Sequence, residues 1–124
     1  ANLQEAEKNY ERAKTLYAQI FGDRYEGYIK TISKLGRVYY IQKNYDKANQ
    51  ALTQSTDAYL SFIQKNFPAM SEREKAKYWV SIQSDFEFFK TLASQQIKTK
   101  PELLGQAYNH ILVTKGLLLS SSMK

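Results

Sequence analysis

The chain has 124 residues, enough for one modest domain with a hydrophobic core, and its 43% hydrophobic and 24% charged composition is that of a folded soluble chain. Five Gly and two Pro argue against a turn-rich β-sandwich, the lack of cysteine removes disulfides and thiolate sites, and the single histidine, His110, rules out a multi-histidine metal centre. No apolar run is long enough to span a membrane, and the net charge of +6 invites an acidic partner while being too small alone to argue for nucleic acid.

Apolar residues recur every three or four positions through almost the whole chain, which predicts helix after helix. The first covers about 2–21, with Leu3, Ala6, Tyr10, Ala13, Leu16, Tyr17 and Ile20 on one face and Gly22 as a left-handed C-cap. A loop at 23–27 leads to a second helix over about 28–42, whose stripe is Tyr28, Ile32, Leu35 and Tyr39. Lys43-Asn44 breaks it, and Asn44 can cap the next. The third helix, about 45–66, is expected to bury Tyr45, Ala48, Leu52, Ser55, Tyr59 and either Phe62 or Ile63, and Phe67-Pro68 ends it.

Ser71-Glu72-Arg73-Glu74 spells a capping box, in which a serine hydroxyl and a glutamate carboxylate satisfy each other's backbone amides. The fourth helix follows to about 97, with Trp79, Ile82, Phe86, Phe89, Ala93 and Ile97 on one face, widened by Tyr78, Phe88 and Leu92. Thr99-Lys100-Pro101-Glu102 predicts a second capping box. The fifth helix, about 101–120, takes Leu104, Ala107, Tyr108, Ile111, Leu112, Leu118 and Leu119 as its core face, and 120–124 reads as a fraying end or the start of a linker. The fold class is all-α, with short loops that make sequence neighbours antiparallel.

The first and third helices carry one pattern twice. Leu3, Ala6, Tyr10 and Ala13 lie over Tyr45, Ala48, Leu52 and Ser55 at a constant offset of 42 residues. Ahead of the second copy stand Ile32, Leu35-Gly36 and Tyr39. This pattern resembles the tetratricopeptide repeat, in its longer form of the kinesin light chain type, with Ile32 where Trp is frequent and Ser55 where Ala is usual. The resemblance implies a right-handed superhelix of antiparallel helix pairs, with one and a half repeats in 1–66 and two further antiparallel helices, repeat-like or a connector, in 67–124. Gly36 and Ala48 would sit at close helix crossings. The first repeat holds only its second helix, so further repeats are expected upstream, and the uncovered edge around Tyr10, Leu16 and Tyr17 is expected to self-associate.

The second half reads differently. Tyr108-Asn109, then Lys115-Gly116-Leu117-Leu118-Leu119, is similar to the helical segment between tetratricopeptide repeats and a caspase-like CHAT peptidase domain in bacterial multidomain proteins. That resemblance implies a peptidase downstream, since its His and Cys pair is not in this chain.

Lys30, Lys34 and Arg37 fall at i, i+4 and i+7 on one side of the second helix, beside Ser33, Tyr40 and Ile41. Residues 27–66 hold six basic against two acidic residues, a net of +4. In tetratricopeptide repeats this side faces the concave groove. The resemblance therefore implies a protein or acidic peptide partner on Lys30, Ser33, Lys34, Arg37 and Tyr40.

The rival reading is a basic module associated with nucleic acid. The ten tyrosines suggest stacking platforms, but most sit at core or inter-helix spacing. Asp85 and Glu87 diverge at i, i+2, His110 has no nucleophile partner, and no glycine pattern cradles phosphate, so neither an enzyme nor a cofactor or metal is expected. The opening Ala-Asn-Leu-Gln-Glu has no signal-peptide pattern, and a cytoplasmic location is expected.

Overall fold

The computed structural model describes residues 2–22 and 26–122, with side chains as far as 116. These residues form five α-helices, α1 (Asn2–Phe21), α2 (Glu26–Ile41), α3 (Tyr45–Asn66), α4 (Glu72–Gln95) and α5 (Pro101–Ser122), plus a 3-10 turn at Phe67–Ala69. No strand occurs among the described residues, and no described helix is long and apolar enough to cross a membrane.

Local chemistry sets most boundaries. Gly22 takes a φ of +89° and its N–H donates to the Ala18 carbonyl, closing α1. α2 ends in a Schellman motif: Asn44 N–H donates to the Tyr39 carbonyl and Lys43 N–H to the Tyr40 carbonyl. Lys43 occupies the left-handed position at φ 65°, where glycine is the usual residue. The Asn44 side chain then accepts from Lys47 N–H at 3.4 Å, a loose cap on α3. Pro68 halts α3, and the 3-10 turn buries Phe67.

The Ser71 capping box forms in full. Glu74 N–H donates to Ser71 Oγ at 3.1 Å and Ser71 N–H to Glu74 Oε1 at 2.9 Å. The box expected at Thr99 does not form. Its hydroxyl turns back to the Gln96 carbonyl, and α5 starts at Pro101, where the missing N–H costs nothing. α2 begins two residues earlier than its periodicity suggested, at Glu26. α4 stops at Gln95, which leaves Ile97 exposed in a turn, and α5 continues to Ser122.

The chain divides into two compact units, Ala1–Ala58 and Tyr59–Lys124, a division that falls inside α3. In the first, α1 and α2 are antiparallel: Tyr39 meets Glu11 while Gln42, farther along α2, meets Glu7, earlier on α1. Ile32, Leu35, Tyr39, Ala48 and Leu52 are buried as the periodicity requires. Gly36 sits where α2 crosses α3. A Cβ there would lie 1.9 Å from Leu52 Cδ2 and 3.3 Å from Ala51 Cβ. Tyr45, expected inside, is largely exposed, its ring set edge-on to Tyr40 at 5.7 Å. α1 buries none of its residues, and Leu16, Ile20 and Phe21 are 49%, 67% and 57% exposed.

In the second unit, Tyr59, Ile63 and Phe67 join Ile82, Phe89, Leu92 and Ala93 as buried side chains. Each of the Ile, Leu and Phe side chains contributes roughly 1.5–3 kcal/mol by leaving water. Of the two alternatives near the end of α3, Ile63 goes inside, while Phe62 stays exposed and stacks on Tyr78 at 4.5 Å. The core face of α5 is rotated from expectation. Leu103, Ala107, His110 and Thr114 are buried, Leu104 and Ile111 are half-buried, and Tyr108 and Leu112 are exposed. Apolar residues surround α5, so its periodicity does not select one stripe; the polar pair fits inside because the Thr114 hydroxyl donates to the His110 carbonyl and the His110 ring packs on Phe86 and Phe89. Leu118 and Leu119 lie outside the described side chains.

Candidate functional site

The helical spacing of Lys30, Lys34 and Arg37 places them along one side of α2. Lys30 Nζ lies 3.2 Å from Glu26 Oε1, and both side chains are about half exposed. An open i, i+4 pair of this kind is worth only about 0.3–0.5 kcal/mol. Glu26 is therefore a weak internal occupant that another carboxylate can displace. Lys34 is exposed, its ammonium 6.0 Å from the Tyr10 ring centroid, at the outer reach of a cation–π contact. Arg37 and Tyr40 are half-buried. Ser33 differs from its neighbours: it is 3% exposed, and its hydroxyl has no hydrogen-bond partner among the described residues. The reachable members of the predicted set are thus Lys30, Lys34, Arg37 and Tyr40.

A second polar feature fastens α1 to α2. The Tyr39 hydroxyl donates to Glu11 Oε1 at 2.5 Å, and Gln42 Nε2 donates to Glu7 Oε1 at 3.0 Å. Lys14 stands 3.5 Å from the other Glu11 oxygen, and the Lys47 ammonium lies 5.5 Å from the Tyr39 ring. The hydrogen bond from Tyr39 holds the Glu11 carboxyl below its ordinary value, with Lys14 and Lys47 adding attraction and burial opposing. Burial, then the bond to Glu11, pushes the Tyr39 hydroxyl above its own. A polar pocket of about 270 Å³ opens here, lined in part by Glu11, Lys14, Lys47, Gln50 and Gln54.

The second unit holds a different opening. Trp79, Gln83, Phe86, Glu87 and Lys90 of α4 face Ala107, His110, Ile111, Thr114 and Lys115 of α5 across a mainly apolar groove of about 240 Å³. Sequence reasoning missed it. Its only signal was the i, i+3, i+4 spacing of Ala107, His110, Ile111 and Thr114, half of which reads as polar.

Asp85 and Glu87 part company as their spacing dictates. Asp85 is buried and accepts from the Tyr59 hydroxyl at 3.1 Å, while Glu87 is exposed and accepts from Gln83 Nε2 at 3.2 Å. No group of His, Cys, Asp or Glu that could hold a metal ion occurs among the described residues.

No curated protein and no solved structure matches the chain. The family model for the tetratricopeptide repeat matches residues 1–61. That span holds α1, α2 and most of α3, with Gly36 at the close crossing, Ala48 fully buried and Leu35 and Tyr39 inside. Residues 1–61 therefore match a tetratricopeptide-repeat region, and the described residues as a whole are all-α.

Proposed function

We propose that the chain is a protein-interaction module that takes an acidic peptide segment along the Lys30, Lys34, Arg37 and Tyr40 side of α2. The observation that carries this reading is the run of three cations at one-turn spacing along one side of α2, the first of them met by a weakly held Glu26. Carboxylates of a partner would displace Glu26 from Lys30 and bridge to Lys34 and Arg37, with the Tyr40 ring as a flat apolar wall. Charge-assisted bonds at such an open surface are each worth about 1 kcal/mol or less. One helix face therefore supports affinity on the order of micromolar or weaker, falling with salt.

Titration calorimetry with a blocked poly-glutamate peptide tests this. Lys30→Glu with Arg37→Glu abolishes binding while leaving the far-UV helical signal intact, and Glu26→Gln tightens it about twofold by removing the internal competitor. Retained binding by the folded double variant would place the partner elsewhere. In its parent context the module sits, on this proposal, beside a caspase-like peptidase of the CHAT type, a reading that rests on the 108–119 resemblance. A His- and Cys-bearing reading frame downstream is the observation that tests it.

A further inference from the structure

The groove between α4 and α5 combines two features that point to one kind of occupant. Its walls are apolar: Trp79 and Phe86 lie 5.7 Å apart with their rings tilted by 33°, and Ile111 faces them from α5. His110 is buried at its base, held edge-on by Phe86 at 5.5 Å. Its rim is cationic. Lys90 and Lys115 stand on opposite helices, both exposed, and neither is within ion-pair distance of a carboxylate among the described residues. The one acid on the rim, Glu87, is already engaged by the Gln83 amide at 3.2 Å.

Size narrows the occupant further. At about 240 Å³ the groove is smaller than the ~300–1,000 Å³ sites that enclose drug-sized molecules or cofactors. It suits one or two side chains inserted from a larger partner. An apolar slot between two cations, neither of them ion-paired among the described residues, recognises an apolar side chain flanked by negative charge.

We infer that this groove is a second binding surface, independent of the α2 face, which receives one aromatic or branched side chain of an acidic peptide segment. Lys90 and Lys115 grip the carboxylates on either side of that anchor. The indole of Trp79 and the ring of Phe86 supply the stacking surface, and Ile111 closes the opposite wall. Recognition here differs from that at α2, where charge is read on an open surface, because the groove also requires the apolar anchor.

Trp79 is the only tryptophan in the chain, so its emission reports on the groove alone. The probes are two blocked peptides of aspartate and glutamate, one with a central Phe-Leu pair and one with a central Ala-Ala pair. Titrating the Phe-Leu peptide into the intact chain shifts Trp79 emission to shorter wavelength, and the Ala-Ala peptide leaves it unmoved. Lys90→Glu with Lys115→Glu, both at the surface, weakens the Phe-Leu peptide about tenfold, the factor expected from losing two partly exposed ionic contacts of near 0.7 kcal/mol each. Lys30→Glu with Arg37→Glu leaves the Trp79 response unchanged, which separates this inference from the reading of α2. An absent shift overturns the proposal, as does an equal response to both peptides or indifference to the lysine reversals. Emission that moves with protein concentration before any peptide is added also overturns it, by giving the groove to a second copy of the chain.

Discussion

Gly36 and Gly105 are both helical glycines, and their surroundings make opposite demands. Alanine is favoured over glycine by about 0.8–1.0 kcal/mol in a helix interior. At Gly105 a Cβ meets nothing within 4 Å, so Gly105→Ala raises stability by about that amount. At Gly36 the Cβ would lie 1.9 Å from Leu52 Cδ2, and Leu52 is fully buried and cannot swing into solvent. Overpacking of this kind costs roughly 1–3 kcal/mol, which exceeds the propensity gain. Gly36→Ala therefore lowers the urea midpoint while Gly105→Ala raises it, and equal shifts of the same sign would contradict the close crossing. The repeat resemblance pointed to Gly36 because a small residue follows Leu35 one turn before Tyr39. Nothing in the sequence distinguishes Gly105, whose neighbours Leu104 and Gln106 fit any helix.

The elements themselves were legible wherever a boundary has its own chemistry. Gly22, the Lys43-Asn44 break, Phe67-Pro68 and the Ser71 box each satisfy or remove a backbone group, and α1 and α3 run over the expected residues. What failed was the choice of face on α5, where Leu, Ile and Val lie all round and a buried His110 and Thr114 look like surface residues. Equally hidden was the fastening of α1, because Glu7 and Glu11 read as solvated charges until Tyr39 and Gln42 are brought to them. That fastening makes the docking of α1 depend on pH. Glu11 titrates below its ordinary 4.5, so its contribution is complete above that value and is lost as pH falls through the lowered one. Tyr39 titrates above its ordinary 10, so its contribution is complete below 10 and is lost as pH rises through the raised one. Since α1 buries no residue, its amides are expected to exchange early once acid loosens this bond. Tyr39→Phe removes the donor, and the protection of α1 amides relative to their intrinsic exchange should then lose most of its acid dependence, while that of α4 is unaffected.

Across the whole molecule, the periodicity gave the number of helices among the described residues and the repeat pointed to the close crossing at Gly36, but neither could reveal the groove between α4 and α5. Its walls come from residues some thirty positions apart, and no local pattern records that Trp79 and Ile111 will face each other. The same long-range view bears on cooperativity. α3 is one uninterrupted helix over Tyr45–Asn66, yet Ala48 and Leu52 serve the first compact unit while Tyr59 and Ile63 serve the second. Neither unit can lose its part of α3 without leaving a helix end in the other, with carbonyl or amide groups deprived of partners. In repeat-like helical arrays such shared elements carry the nearest-neighbour coupling. Unfolding in urea should therefore be a single transition: Trp79 emission, which reports only on the second unit, and far-UV ellipticity, which reports on all helices, should share one midpoint. Ala58→Pro, at the division, removes an intrahelical hydrogen bond and clashes with the preceding turn, at a cost of about 3 kcal/mol. With α3 interrupted, the two probes should separate. Separate midpoints in the unaltered chain, or a shared one in the proline variant, would mean that α3 does not transmit stability between the units.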